Sequence, residues 1–354
     1  KIFNKNEWKK VKLGDVCEVL DSKRVPISEE NRIKGEYPYY GANGIQGYIN
    51  DYIFDEELVL LAEDGGNFGS KTKPIAYKIS GKTWVNNHAH VLKAKDEIIS
   101  TDFLLYSLMF YDVTKLITGT TRKKLTRAGM EKITLSIPTL SIQNKITDYL
   151  QKIESFISFR KHQLSFLKEL NKSLFTTMFG DIKTNDKNWE IYYWKDVLNI
   201  KNGKNQKQVE DINGKYPIYG SGGIIGRSNA YICNENSIII GRKGNINKPI
   251  LVKEKFWNVD TAFGLEVKSE KMSYHYLYYF CLFYDFEIHN KAVTIPSLVK
   301  SDLEKIVLPV PPIELQNKFA ERIEKIEKLK FEIEKSIEIA QNLYDSLISK
   351  YFDN

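Results

Sequence analysis

Cysteine is scarce in this sequence. Cys17, Cys233 and Cys281 lie far apart, are odd in number and never fall in Cys-x-x-Cys spacing, which excludes a disulfide framework and a thiolate zinc site and makes a reducing cytoplasm the expected setting. No stretch of about 18 apolar residues is present, and no charged-then-apolar leader opens the chain, which begins at Lys1. No membrane span is expected. Also missing are an Asn-Pro-Pro-aromatic motif of methyltransferase type, a nucleophile with a convincing base, and carboxylates clustered as in nucleases. The chain reads as catalytically empty, with no cofactor or metal of its own.

A large local excess of one charge is lacking too. The formal net charge of +7 permits a polyanionic partner, yet it is thinly spread. Residues 1–140 carry 21 Lys and Arg against 18 Asp and Glu, 141–180 carry 6 against 3, 181–311 carry 18 against 15, and 312–354 carry 7 against 9. No segment could hold DNA by charge alone, so a nucleic-acid reading must rest on specific contacts or on help from a partner.

What the 354 residues do contain is a repeat. With 42% hydrophobic residues the chain can bury two cores, and self-comparison finds one unit written twice. "GEYPYYGANGIQGYI" (35–49) matches "GKYPIYGSGGIIGRS" (214–228), with Pro38 and Pro217 separated by 179 positions. Trp8 and Asp15-Val16 match Trp189 and Asp196-Val197 at a separation of 181. From Trp84 and Trp257 onward the separation holds at 173, through Tyr111-Asp112 and Tyr284-Asp285, Leu125 and Leu298, and Gln143-Asn144-Lys145 and Gln316-Asn317-Lys318.

Each copy has the same order. Short apolar runs broken by Gly, Asn and Pro, such as "ELVLLAE" and "SIIIGRKG", predict strands and turns. "TDFLLYSLMFYD" and "MSYHYLYYFCLFYD" predict an apolar helix, and a proline-marked junction follows ("SIPTLSIQNKI", "LPVPPIELQNKF"). A long helix closes each copy. In the second, Phe319, Ile323, Ile326, Leu329, Ile333, Ile337, Ala340, Tyr344, Leu347 and Tyr351 recur every three or four residues; in the first, Ile146, Leu150, Ile153, Phe156, Leu164, Leu167, Asn171, Leu174 and Met178 do so, interrupted by Arg160. A helix of about 38 residues spans roughly 57 Å, too long for one compact domain to cover. The two helices are therefore expected to pack on each other, antiparallel if a pseudo-twofold axis relates the copies. The expected fold class is α+β: two strand-rich domains (1–140 and 181–311) joined by two long antiparallel coiled-coil helices (141–180 and 312–354), in an internal tandem repeat.

The second copy serves as a control for tempting motifs. The glycine-rich "YGSGGIIG" answers to "YGANGIQG", where Asn43 and Gly44 replace Gly222 and Gly223. Turn chemistry is kept and the spacing of a phosphate cradle is not, so a hairpin turn is predicted. "AYKISGKT" (76–83) fits a relaxed Walker pattern, but "KPIAYKISGKTWVNN" alternates like two strands around a Ser-Gly-Lys turn, and its counterpart "KPILVKEKFWNV" has no glycine there. His88 and His90 could be metal ligands at alternate strand positions, yet the second copy holds Thr261 and Phe263, so ordinary strand residues are the better reading.

Polar and basic loop residues remain as candidate contacts. "TGTTRKKLTR" (118–127) supplies Thr120, Thr121, Arg122, Lys123 and Lys124, a composition suited to phosphate oxygens and base edges, with a solvated charged loop as the bland alternative. Tyr40, Asn43, Asn67, Lys71 and Lys73 join them in the first copy. The second copy offers Tyr219, Ser221, Arg227, Arg242, Lys243, Asn245, Asn247, Lys248 and Thr294. Arg122, Lys123 and Lys124 fall opposite Ile295, Pro296 and Ser297, so the scaffold is duplicated while the candidate contacts differ. That pattern is expected if each half reads a different short sequence.

In this organisation the chain resembles the DNA-specificity subunits of Type I restriction-modification enzymes. The resemblance is carried by Pro138, Leu140, Gln143 and Ile146, by Pro312, Ile313, Gln316 and Phe319, and by the "YYGANGIQGYI", "IYGSGGIIG" and "TGTTRKKL" stretches. It departs where a glutamate often precedes the glutamine, since Ile142 and Leu315 stand there. The resemblance implies a non-catalytic cytoplasmic subunit of two target-recognition domains that reads a bipartite, asymmetric target in double-stranded DNA, with the helices setting the spacer. It also implies two modification subunits, which bind S-adenosylmethionine and methylate adenine N6, and restriction subunits, which use ATP and Mg²⁺. Two other readings stay open at this level: a nucleotide-binding enzyme acting through "SGKT", and a coiled-coil scaffold for protein interaction.

Overall fold

The computed structural model describes residues 3–120 and 123–353. It divides into two units, Lys1–Lys161 with Lys335–Asn354, and His162–Glu334.

In the first unit the chain runs through β1 (Lys9–Lys12), the one-turn α1 (Leu13–Val16), β2 (Cys17–Val19), β3 (Tyr37–Gly41), β4 (Gly44–Ile49), β5 (Phe54–Asp55), β6 (Leu58–Ala62), β7 (Ala76–Ile79), β8 (Lys82–Val85) and β9 (Ala89–Ala94). It continues through α2 (Thr101–Met109), the one-turn α3 (Arg127–Met130) and β10 (Thr134–Ile137) into α4 (Leu140–Phe179). Two four-stranded sheets form, in the orders β2-β9-β6-β7 and β4-β3-β8-β5, and β1 pairs with β10 as a separate ribbon. All five residues of β6 are buried. Val59 and Leu61 enter the core that holds Phe103 and Leu104 of α2, while Leu58 and Leu60 enter a second core with Phe54 and Val85 of the other sheet. A strand apolar on both faces must be covered on both, which is why the layers stack on it.

The second unit repeats this plan through β11 (Glu190–Tyr193), α5 (Trp194–Val197), β12 (Leu198–Asn202), β13 (Tyr216–Gly220), β14 (Gly223–Ser228), β15 (Ser237–Gly241), β16 (Ile250–Val252), β17 (Trp257–Asn258), β18 (Ala262–Val267), α6 (Tyr274–Phe283), α7 (Lys300–Leu303), β19 (Val307–Val310) and α8 (Ile313–Phe352). Its sheets are ordered β12-β18-β15-β16 and β14-β13-β17, with a β11-β19 ribbon. The counterpart of β5 is reduced to one bridge between Cys233 and Phe256. Tryptophans matched by the repeat act alike: Trp84 Nε1 donates to the Val25 carbonyl at 2.7 Å, and Trp257 Nε1 to the Lys204 carbonyl at 2.9 Å.

Helices α4 and α8 are each 40 residues long and run antiparallel. In the first unit Tyr344 Oη donates to Glu154 Oε1 at 2.7 Å; in the second Asn171 Nδ2 reaches Glu327 Oε1 at 3.4 Å. Of the expected packing residues, Ile146, Leu150, Phe319, Ile323 and Ile333 are buried, and Ile153, Leu164, Leu167, Leu174, Ile326, Ile337 and Leu347 are half-buried. Phe156 and Leu329 depart from the expected seam, being 39% and 45% exposed. Ile157 is buried where Phe156 was expected: it stands seven residues from both Leu150 and Leu164, on the same heptad position, and Phe156 falls one residue short of it. Phe175, Phe179 and Ile348, which that seam omits, are buried as well.

One glutamine fixes each long helix to its domain. Gln143 accepts from the Ser100 amide at 2.9 Å and donates to the carbonyls of Ile98 and Pro138, both at 2.9 Å. Gln316 repeats the set: it accepts from the Ser273 amide at 2.8 Å and donates to Lys271 at 2.9 Å and Pro311 at 2.7 Å. Ser100 and Ser273 are themselves the N-caps of α2 and α6, so each glutamine joins a helix start to a helix start.

Candidate nucleic-acid interface

In the first unit three loops share one edge. The β3–β4 turn places Gly44 at φ +108 and leaves Asn43 exposed; of the pair Asn43-Gly44 only the glycine needs the left-handed region. Asn43 Nδ2 donates to the Gly65 carbonyl at 2.9 Å, and Asn67 Nδ2 donates to Asn43 Oδ1 at 3.3 Å, which ties this turn to the 63–67 loop. The third loop closes when the amides and carbonyls of Thr118 and Lys124 exchange bonds of 2.8 Å, and it attaches through the Leu125 amide to the Glu63 carbonyl at 2.7 Å. Thr120 and Lys123 are exposed on it; Thr121 and Arg122 lie outside the described residues. Tyr40 sits half-buried behind the turn, its ring 5.8 Å from that of Tyr77, and burial pushes its hydroxyl up from the ordinary phenol range. Lys71 and Lys73 are exposed, but Lys71 lines a cleft of about 830 Å³ with Tyr344, Asp345 and Ser349 of α8 rather than joining Asn43.

Beneath the three loops lies a charged network, of which sequence spacing marked only His90. His90 Nδ1 is 2.6 Å from Asp21 Oδ2, and its Nε2 is 2.8 Å from the Leu125 carbonyl. Glu63 takes Arg24 at 2.5 Å and Lys124 at 2.8 Å on its two oxygens. Asp21, Glu63 and His90 are grouped closely enough to hold a metal ion, but cationic side chains already occupy these carboxylates, and the residues fit an ion-pair network better than a metal centre. Lys124 is thereby drawn into an internal contact. The second unit solves the same position differently. The Leu298 amide donates to the Arg242 carbonyl at 2.9 Å, as Leu125 does to Glu63, but the side chains there are Arg242 and Phe263, the guanidinium 5.8 Å from the ring centroid. Comparing the copies, with Phe263 opposite His90, pointed to an ordinary strand residue, because the acidic partners Asp21 and Glu63 lie far away in the chain.

Around this edge of the second unit Gly223 takes φ +126 after Ser221-Gly222. Asn245 lies against that turn, its Nδ2 3.5 Å from where a Cβ on Gly222 would stand. Tyr219 is half-buried on Phe256, ring centroids 5.5 Å apart. Lys243, Asn245, Lys248 and Thr294 are exposed. Three expected contacts also bond within the unit, with Arg227 and Asn247 exposed and Arg242 half-buried. Arg227 donates to the Gly214 and Lys215 carbonyls at 2.6 and 2.8 Å, Arg242 covers Phe263, and Asn247 donates to Asp285 Oδ1 at 3.1 Å while accepting from the Phe286 amide at 2.7 Å. The "SGKT" segment is a strand–turn–strand with Gly81 at φ +70 between β7 and β8, and Lys82 Nζ lies 4.7 Å from the centroid of the Tyr52 ring. No helix follows it to receive a phosphate.

The family model described as Type I restriction modification DNA specificity domain matches residues 5–169 and 186–341, one match in each copy of the repeat. The chain belongs to the Type I restriction-modification DNA specificity family. As a specificity subunit it recognises DNA and is not itself catalytic. S.HindORF215P of Haemophilus influenzae is 26% identical over 94% of this chain and 91% of its own length. The MjaVIII specificity subunit of Methanocaldococcus jannaschii is 23% identical over 91% of this chain and 87% of that protein, and the EcoDI specificity subunit of Escherichia coli is 23% identical over 98% and 88%. In fold, the chain is similar to the crystallised S subunit from M. genitalium, with a TM-score of 0.68, 15% identity and coverage of 100% of this chain and 98% of that one. Among the described residues of this specificity subunit no helix is long and apolar enough to cross a membrane.

The charged network gives the specificity subunit an acid-sensitive loop base. Burial pushes the Asp21 carboxyl up, but His90, the Val91 amide and Arg24 outweigh it and hold the group below its ordinary value. Glu63 is likewise raised by burial and lowered further by Lys124, Arg24 and His90. Depressed carboxylates stabilise the fold above their unfolded values, near 4, and lose that contribution as pH falls through the folded values. Thermal unfolding followed below about pH 4 should show the wild type losing stability more steeply than Asp21→Asn/Glu63→Gln; parallel acid limbs would remove this role.

Proposed function

We propose that this specificity subunit reads a split, asymmetric target in double-stranded DNA, one part with each unit's loop edge, and that α4 and α8 set the unread spacer. Two modification subunits dock on the helices, restriction subunits join through the complex, and the assembly works in the cytoplasm. S-adenosylmethionine, ATP and Mg²⁺ belong to those partners. The chain's own residues supply recognition and spacing.

The observation that carries this reading is a contrast between two kinds of surface. Loop-edge residues differ between the copies, whereas three pairs of outward apolar residues on the helices are repeated at the 173-residue separation; Tyr149, Phe159 and Phe331 are exposed without an apolar counterpart. Phe156 and Leu329 are 39% and 45% exposed, Phe166 and Ile339 64% and 61%, and Leu170 and Leu343 47% and 51%. Each unit therefore carries one matched apolar set, Phe156 with Ile339 and Leu343 in the first and Leu329 with Phe166 and Leu170 in the second. Unlike readers with like docking patches suit two different half-targets and two copies of one partner. Half-sites on one face of DNA recur about every 34 Å, a distance within the roughly 60 Å length of a 40-residue helix.

Removing one facing turn from both α4 and α8 shortens the pair by about 5.4 Å, which is one or two steps of roughly 3.4 Å along DNA. Mapping methylated adenines in cells that express the shortened chain with its partners should return the same two half-targets with a spacer shorter by one or two base pairs. An unaltered spacer would refute the ruler, and the absence of any methylated motif with the unmodified chain would refute DNA reading.

A further inference from the structure

The second unit exposes apolar side chains where the first has polar ones. Val293 is fully exposed, Ile295 is 60% exposed and Ile288 68%; at the 173-residue separation Val293 and Ile295 answer to Thr120 and Arg122. The tip is not loose chain. Asn290 Oδ1 accepts from both the Ala292 and Ser297 amides at 3.0 Å, closing the loop across its neck. The Gly244 amide donates to the Pro296 carbonyl at 3.0 Å, and Lys243 pairs with Ser297, so the tip is braced against the loop that carries Lys243 and Asn245. Val293 and Ile295 are held outward, beside basic and amide side chains, with Thr294 between them.

An exposed apolar pair in that setting does not suit a protein-docking patch, which would be larger and less charged. It suits a groove floor that offers methyl groups among hydrogen-bonding edges. In the major groove the one such group is the C5-methyl of thymine, which takes apolar contact from small side chains. We infer that Val293 and Ile295 read thymine methyl groups in the part of the target taken by the second unit. This rests on the proposal that the loop edges face DNA.

The test uses the chain assembled with its modification subunits. Once methylated-adenine mapping gives the motif, duplexes are made in which each thymine of the motif is replaced in turn by uracil, which pairs identically but lacks the methyl. Uracil should weaken binding about fourfold per contacted methyl, at thymines in only one half of the motif. The Val293→Ser/Ile295→Ser variant should bind the thymine duplex more weakly and no longer distinguish uracil, with an unchanged unfolding midpoint because both side chains are exposed. Uracil tolerated at every position, a half without any T·A pair on either strand, or a uracil penalty that persists in the variant would each overturn the inference. If the wild-type complex methylates no motif at all, the DNA-reading proposal has failed first, and the two failures stay distinct.

Discussion

Replacing Gln316 by leucine is expected to destabilise the second unit by about 3–5 kcal/mol. Leucine fills much of the same space, so the effect is one of hydrogen bonding rather than of cavity formation. The side chain is fully buried, and its loss strands the Ser273 amide and the carbonyls of Lys271 and Pro311. Each orphaned buried group costs about 1–3 kcal/mol. The damage should also be local. Ser273 caps α6 through its hydroxyl, which accepts from the amides of His275 and Tyr276 at 3.1 and 3.4 Å. Hydrogen exchange read peptide by peptide should therefore show lost protection at the starts of α6 and α8 and wild-type protection through β6 and β9 of the first unit. Gln143→Leu should give the mirror pattern, because Gln143 makes the corresponding bonds to Ser100, Ile98 and Pro138. Unchanged protection across 271–276 in Gln316→Leu would show that water replaces the side chain without loss.

Phe175→Ala should cost about 3–5 kcal/mol, by the different route of a cavity. Phe175 is 1% exposed, and its ring centroid lies 5.0 Å from that of Phe179, 5.1 Å from Phe283, and 5.6 Å from both Tyr276 and Phe319. These rings belong to α4, α6 and α8, so a single truncation loosens the joint where both long helices meet the second domain. Phe179, Phe283 and Phe319 meet the Phe175 ring edge to face and Tyr276 stacks on it, and they cannot collapse into its vacated space without leaving their own packing geometry. Urea unfolding should show the lower midpoint, and Phe166→Ala on the same helix is the control: that ring is 64% exposed, and its loss should stay within about 0.5 kcal/mol. Equal effects from the two variants would mean that the aromatic cluster does not anchor α4.

How far the sequence was legible depended on how local each signal was. The fully apolar "LVLLA" run reads as a strand because no other short element covers both faces, and β6 is that strand. The hairpin turns were legible from Asn-Gly and Gly-Gly, whose glycines alone take positive φ. The helix seams were legible in register but not residue by residue: Phe156 is apolar, yet it falls one residue short of the heptad position that Ile157 holds between Leu150 and Leu164. The glutamines at 143 and 316 were visible as repeated letters, and nothing local revealed that they hold two helix starts together.

By itself the sequence determined that the chain is one unit written twice, that each unit has strands followed by a long amphipathic helix, and that the two helices need each other. Hydrophobic periodicity and duplication settle those points without knowledge of any distant contact. Only the tertiary structure decided which polar side chains are also held by contacts within the units. Lys124 pairs with Glu63, Arg227 bonds the carbonyls of Gly214 and Lys215, Arg242 lies over Phe263 and Asn247 bonds Asp285. Val293 and Ile295, apolar by composition, are left in the open. A polar side chain's fate is set by whichever donors and acceptors the folded loops bring within 3 Å of it, and that proximity is not written in the order of residues along the chain.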